Sequence, residues 1–424
     1  MKFSSFKLEH NLLQAIHELG FQEPTPIQRK AIPAIMDGKD VLGNAQTGTG
    51  KTASYLIPII QIIISARAYS ENRHPLRTII LTPTRELALQ VGDDLKALTK
   101  HLKLHSAIVY GGVGYESQIN ALAKKPDILV ATSGRLLDLV AKEEVNISKV
   151  NRIVIDEADR MFDMGFIDEV KQILSLIEQK RHTMLFSATF TKKVKEFTSS
   201  FLNRPSSFDI ARINKTNSNV KQYVHHVDCA RKLELLSFMI GSRNYQQVLV
   251  FASTKESADE VTEELNLNGL KTMVIHKDIK QGGRKKALES FKEGKIRVLV
   301  ATDIAGRGIN IDNLPVVINY ELPTVAEDYI HRIGRTGRGD NSGEAITLLC
   351  YDEMKLFNKV EALLKVKIPR TNIKGFEPTK AFREKILKKK AKDKVKFAKA
   401  KASARDNLLK EQETKGFRPR RGRR

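Results

Sequence analysis

At 424 residues the chain is longer than one ordinary hydrophobic core organises, so two domains are expected. Lys and Arg outnumber Asp and Glu by 72 to 49, a net +23 that points to a polyanionic partner, while an apolar share of 41% supports packed cores and excludes a wholly disordered chain. Two cysteines, Cys229 and Cys350, are too few and too far apart in sequence for a disulfide scaffold or a metal knuckle and suit a reducing, cytoplasmic compartment.

Near the N-terminus MKFSSFKLEH has no apolar leader core, and the most apolar stretch, Tyr55 to Ile64, is broken by Pro58 and Gln61 and is too short to span a membrane. Short Val/Ile/Leu runs then alternate with amphipathic, Lys/Glu-bearing stretches: RTIILTPT, HSAIVYGG, PDILVATS, RIVIDEAD and HTMLFSAT. Runs of this kind suit strands buried on both faces, and their alternation with helical patterns predicts parallel βαβ units. A second set follows in QVLVFAST, KTMVIHKD, IRVLVATD, VVINYELP and EAITLLC. Between the sets, NRPSSFDIARINKTNSN is polar and turn-rich and reads as a linker.

The predicted organisation is an α/β domain over 1–205, a linker over 206–220, a second α/β domain over 221–375 and a basic tail over 376–424. The tail's charge sets it apart, because residues 380–424 hold 19 Lys/Arg and 5 Asp/Glu, +14 of the +23. A block of like charges without an apolar stripe stays extended and suits contact with phosphates.

Two motifs carry chemistry by their residue types alone. Ala45-Gln46-Thr47-Gly48-Thr49-Gly50-Lys51-Thr52 follows a short strand and opens an apolar helix. Its glycines let backbone N–H groups turn onto phosphates, Lys51 reaches the outer phosphate oxygens, and the Thr52 hydroxyl suits Mg²⁺; the plainer alternative is a glycine-rich turn. Ala45 stands where the general pattern has glycine. Ile155-Asp156-Glu157-Ala158-Asp159 ends the strand RIVID, where open α/β sheets place ligands. Asp156 suits Mg²⁺ and Glu157 suits the attacking water of phosphoryl transfer; by themselves the four letters could be an acidic helix start.

From residue 1 to about 370 the chain resembles the DEAD-box RNA helicases, with many short motifs in family order. Phe3, Phe21 and Gln28 resemble the adenine-recognition element, with Phe3 stacking on the base and Gln28 bonding its edge. The resemblance gives RNA contacts to Pro83, Thr84, Arg85, Gly111, Gly112, Thr132, Gly134 and Arg135 in the first half and to Gln281, Arg284 and Thr302 in the second. By the same resemblance Gly308 and Asn310 are expected to take the nucleotide from the second domain, and Arg335 and Arg338 look like the arginine fingers. Asp159 is expected to pair across to Ser187, Thr189 or His331 and to couple hydrolysis to the nucleic acid; the plainer alternative is a helix-start cap and strand-end hydroxyls.

Several residues depart from the family pattern. Ser133 stands for proline, Lys277 for glycine, Gly306 for alanine and Asn310 for the aspartate that would accept from the ribose. The run Ile155 to Phe166 with a short core and basic tail resembles the bacterial RhlE-like group. The resemblance implies two tandem RecA-like domains, ATP and Mg²⁺ as cofactors, RNA as partner without sequence specificity, local separation of short duplexes, and a monomer serving ribosomal precursor particles or RNA turnover. A DNA-directed motor and an ATP-gated RNA clamp are the rival readings.

Overall fold

The computed structural model describes residues 1–45, 49–67, 76–189, 192–209, 219–303, 311, 313–337 and 342–379. The expected strands form. In the first half β1 (Val41–Asn44), β2 (Thr78–Thr82), β3 (Ser106–Val109), β4 (Ile128–Thr132), β5 (Arg152–Ile155), β6 (His182–Ser187) and β7 (Ser206–Asp209) pair in the order β3-β4-β2-β5-β6-β1-β7. Every pairing is parallel. The second half holds β8 (Val220–His226), β9 (Val248–Ala252), β10 (Thr272–Ile275), β11 (Val298–Thr302), β12 (Val316–Asn319), β13 (Gly343–Leu349) and β14 (Arg370–Thr371), in the order β10-β11-β9-β12-β13-β8-β14. Position for position the second sheet repeats the first.

Both faces of each sheet are covered, as an all-parallel sheet requires. Alternate residues divide between the faces: Ile80, Val130, Val154 and Met184 enter one apolar cluster, whereas Ile79, Leu81, Leu129 and Ile155 enter another. In the second sheet Val248 and Val250 pack on one side and Leu249 and Phe251 on the other. Such continuous burial is why the strands read as unbroken Val/Ile/Leu runs.

Two boundaries need correcting. Ser206–Asp209, placed in the linker, is the edge strand β7 paired with β1, fixed by Asn44 Nδ2 donating to Asp209 Oδ1 at 3.0 Å. A four-residue strand with alternate residues exposed lacks the apolar run that marks a central strand. Residues 376–379 belong to the second domain, not to the tail. Phe376 is buried beside Phe238 with the Arg231 guanidinium 4.6 Å from its ring centre, and the Thr379 N–H donates to Asp228 at 3.2 Å. The basic segment 380–424 and linker residues 210–218 lie outside the described residues.

Candidate nucleotide and nucleic-acid site

The phosphate loop leaves the C-terminal end of β1, where Ala45 N–H donates to Ser187 O at 3.1 Å and so ties the loop to the end of β6. Gln46, Thr47 and Gly48 lie outside the described residues; the chain resumes at Thr49. Gly50 has φ +85°, which favours glycine, and a Cβ there would lie 2.4 Å from Gln28 Nε2 and displace that amide. Gln28 is itself a strut: its Nε2 donates to Gly50 O at 3.1 Å and its Oε1 accepts the Thr25 N–H at 2.9 Å. One amide hydrogen and one lone pair remain for a base edge.

Phe3, expected to stack on the base, is 4% exposed and packs inside the core. Phe21 lies over it, ring centres 6.4 Å apart, and is 38% exposed. The open aromatic face is therefore Phe21. The short turn Phe3–Phe6 turns Phe3 inward, an orientation that single letters do not show.

Lys51 opens the helix Lys51–Arg67. It is 7% exposed, and its Nζ has no hydrogen-bond partner among the described residues. A buried, unpartnered ammonium is costly unless an anion is to meet it. Asp156, 2% exposed, accepts from the Tyr55 hydroxyl at 2.8 Å and from the Glu157 N–H at 2.9 Å. Burial pushes its carboxyl up to about 6 against the pull of the Lys51 ammonium. Tyr55 also meets the Thr52 hydroxyl, so the two oxygens expected to take Mg²⁺ converge on one phenol. Burial, with Asp156 beside it, raises the Tyr55 hydroxyl well above its ordinary value. The sequence reading missed Tyr55, although it lies four residues after Lys51 on the same helix face.

Glu157 takes the left-handed conformation, φ +53°, which strains a non-glycine residue and is common at functional sites. Its Oε2 lies 2.6 Å from Arg160 Nη1, both side chains buried. Arg160 also escaped the sequence reading. The spacing Glu157 to Arg160 on a helix start was the available signal.

Asp159 is a hub. Its Oδ2 accepts from Thr189 N and Thr189 Oγ1, each at 2.9 Å, and from Ala188 N at 3.2 Å. Ser187 Oγ donates to Thr189 O at 2.7 Å. Burial would raise the Asp159 carboxyl, but His331 of the second domain, Lys51 and Thr189 bring it below its ordinary value. The expected grouping of Asp159, Ser187, Thr189 and His331 is thus present, with Ser187 joined through Thr189.

The strand ends beside this site carry the residues assigned to nucleic acid. Pro83 is buried. Thr84 caps the helix Arg85–Leu98 by accepting the Leu87 N–H at 3.3 Å. Gly112 has φ +77°, and a Cβ there would lie 2.0 Å from Arg85 Nη1, so the glycine makes room for that guanidinium. Thr132 precedes the helix Ser133–Ala141. Arg135 is 6% exposed, donates to Val113 O at 2.9 Å and stacks 4.1 Å from the Tyr115 ring centre. It therefore fixes the Gly111–Gly112 turn from beneath instead of standing open. Ser133, where the family has proline, donates from Oγ to Glu169 Oε2, and Gly134 faces the same carboxylate.

Across the cleft, Gln281 opens the helix Gln281–Lys292 with a buried Oε1 that has no partner among the described residues. Arg284 Nη2 pairs with Glu86 Oε1 of the first domain at 2.7 Å, so this expected nucleic-acid contact bridges the domains. Thr302 ends β11 and is 8% exposed. Arg335 is 6% exposed, and its carbonyl accepts the Leu314 N–H at 3.1 Å. Gly308, Asn310 and Arg338, with Gly306, lie outside the described residues. Arg332, which the sequence reading passed over, grips Asp303 with two N–H groups at 2.6 and 2.8 Å and lies 4.9 Å from the Phe251 ring centre.

Two repeated parallel sheets, one bearing a phosphate loop and an acidic strand end and the other joined to it through the Arg284–Glu86 pair, define a two-domain nucleotide-dependent enzyme. Residues 25–197 match the DEAD/DEAH box helicase family and residues 231–340 the helicase conserved C-terminal domain. The chain is 40% identical to the DEAD-box ATP-dependent RNA helicase CshA of Bacillus subtilis, covering 89% of this chain and 74% of that one. It is 43% identical to the ATP-dependent RNA helicase RhlB of Pseudomonas putida, covering 87% and 93%. The fold is similar to S. cerevisiae Dbp5 bound to RNA and ADP BeF3 (TM-score 0.78, 27% identity, 92% and 99% covered). It is equally similar to Mss116 bound to ssRNA and UDP-BeF (TM-score 0.79, 28% identity, 91% and 81% covered). The chain belongs to the DEAD-box ATP-dependent RNA helicases. The finer RhlE-like resemblance rests on the run Ile155 to Phe166 with the short core and basic tail, whereas the two relatives above are CshA and RhlB.

Proposed function

We propose that this ATP-dependent RNA helicase works as an RNA-gated switch. It grips RNA backbone without reading sequence, separates short duplexes locally, and resets on hydrolysis. The observation that carries this reading is the Asp159 hub, which joins the end of β6 to the first domain's acidic motif and lies within electrostatic reach of His331 in the second domain. A carboxylate shared between both halves makes the hydrolytic site responsive to their approach.

Within that switch Lys51 takes the outer phosphates, since its buried ammonium has no other partner. Mg²⁺ fits the pair Thr52 and Asp156, whose oxygens converge on Tyr55, and when bound it neutralises phosphate charge. Glu157 orients and deprotonates the attacking water, with Arg160 fixing its carboxylate. Arg335 and Arg338 supply positive charge from the second domain. Phe21 and Gln28 hold adenine, and Gly308 and Asn310 the ribose side. Thr84, Arg85, Gly111, Gly112, Thr132, Gly134, Gln281 and Thr302 face the RNA backbone, with Arg135 and Arg284 shaping that track. The tail from residue 380 is a sequence-indifferent RNA tether. The protein acts as a cytoplasmic monomer on ribosomal precursor particles or RNA-turnover substrates.

The test is Glu157→Gln. ATP and RNA binding should persist while phosphate release falls by about 100-fold or more; near-normal turnover would remove Glu157 as the base.

A further inference from the structure

A second cluster of basic side chains, outside every motif above, sits at the opposite ends of the same strands. Arg152 and His182 are the first residues of β5 and β6, and Lys180 and Arg181 lead into β6. Together they line an open cavity of about 310 Å³ whose apolar wall is Met36 and Ile62. Among the described residues no carboxylate lines it.

His182 is committed, its Nε2 lying against the Lys39 carbonyl, but the arginines have few partners. Among the described residues Arg152 Nη1 donates only to the neighbouring Asn151 Oδ1 at 3.1 Å. Arg181 Nη1 donates to Leu174 O at 3.2 Å, but its Nε is buried with no partner among the described residues. Asp40, the carboxylate that faces His182, is committed to the N–H groups of Thr183 and Asn203 at 2.8 and 2.7 Å. Asp37 is exposed and pairs with Lys39 at 3.4 Å. Burial and the adjacent Arg77 bring the Arg152 guanidinium below its ordinary value, and burial lowers His182 against the pull of the Lys39 carbonyl and Asp40, so the positive charge here belongs to Arg152, Lys180 and Arg181. Crowded cations with an unanswered donor are what an anion site looks like before its anion arrives.

The geometry points to a binding site for a phosphate monoester or short polyphosphate at the base of the first domain, separate from the ATP site. Nucleotide chemistry occupies the C-terminal strand ends. A four-to-six-residue strand puts about 10–20 Å between the two ends, so one ligand does not serve both. The volume is about ten times the ~30 Å³ share of one water, enough for a di- or triphosphate chain with its hydration. Two sources carry this chemistry, a free polyphosphate and the 5′-phosphate of an RNA strand.

The test uses the full chain carrying Lys51→Ala, so that the phosphate loop no longer competes, titrated calorimetrically with inorganic pyrophosphate at low salt. One saturable site is expected. Adding Arg152→Gln and Arg181→Gln should weaken it at least tenfold while leaving the thermal midpoint without anion at or above its parent, because crowded charge has been removed. The same two substitutions in the otherwise unaltered protein should leave RNA-stimulated ATP turnover within twofold. Oligonucleotides with and without a 5′-phosphate then identify the source. A preference for the phosphorylated strand that vanishes in the double variant assigns the RNA end, and no preference beside an intact pyrophosphate site assigns the free anion. Absence of saturable heat, an affinity unmoved by the double substitution, or a midpoint lowered by several degrees would overturn the assignment.

Discussion

Lys51 and Lys232 occupy equivalent places in the two repeated sheets. Each is the first residue of the helix that follows the sheet's first strand, β1 or β8, and each is buried, 7% and 4% exposed. Lys232 Nζ donates to Glu353 Oε2 at 2.6 Å and to Tyr320 O at 2.7 Å. Lys51 Nζ has neither kind of partner among the described residues. The strand ends repeat the contrast: after β5 stand Asp156, raised to about 6 by burial, and strained Glu157, whereas after β12 Glu321 accepts the Ser253 N–H at 2.6 Å. One scaffold has thus been furnished twice. The first domain leaves its lysine waiting for a ligand; the second satisfies its counterpart internally. Unsatisfied charge marks function here, and satisfied charge marks stability.

The sharpest break of this comparison exchanges the lysines' fates. Lys51→Ala should abolish ATP turnover, by about 1,000-fold or more, yet leave unfolding free energy within about 1 kcal/mol of the parent, since no bonded partner is orphaned. Lys232→Ala should do the reverse, costing about 3 kcal/mol in chemical denaturation because a buried side chain is lost and half-buried Glu353 loses its counter-charge, keeping the Leu322 and Cys350 N–H groups, with turnover preserved in the molecules that remain folded. Equal stability losses at both positions would erase the contrast.

A smaller effect sharpens the reading of the second domain. Glu361 is 3% exposed and accepts from Lys367 Nζ, the Ile368 N–H and Arg370 Nη2, each at 2.9 Å. Burial would raise its carboxyl, but these hydrogen bonds hold it down to about 2. A folded value below the ordinary 4.5 means the carboxylate stabilises the fold at neutral pH, and that contribution fades as pH falls from about 4.5 toward 2. Glu361→Gln should therefore cost about 2 kcal/mol at pH 7, and denaturation curves of variant and parent should converge under acid. A difference that persists at pH 2 would mean packing, not charge, accounts for it.

Smallest is the effect at Gln28. Its amide both supports Gly50 and keeps one donor and one acceptor for a base edge. Wild type should prefer ATP to GTP, and Gln28→Ala should narrow that preference by about tenfold, or ~1.4 kcal/mol, in competition assays. An unchanged preference would leave Gln28 as a strut only.

Strands were legible because burial on both faces writes unbroken apolar runs, and the phosphate loop and acidic strand end were legible because their residue types are demanded by phosphate chemistry. What escaped was geometry across the chain. Nothing local says that Arg135 turns under Val113 and Tyr115, that Arg284 reaches Glu86, or that Phe3 rather than Phe21 faces inward. The edge strand β7 escaped for a different reason. Half exposed, Ser206–Asp209 has the composition of a turn. Duplication of the architecture was legible in the two sets of apolar runs and in the resemblance to tandem RecA-like domains, whereas the particular strand order was not.

The central claim is that the first domain's waiting charges become catalytic only when RNA brings the second domain's arginines to them. Phosphate release by wild type and Arg335→Ala, each with RNA, with DNA of the same sequence, and with neither, tests it most directly. The account predicts strong stimulation by RNA and little by DNA in wild type, and loss of the RNA response in Arg335→Ala with ATP binding retained. Equal stimulation by both nucleic acids, or an undiminished RNA response in the variant, would contradict it.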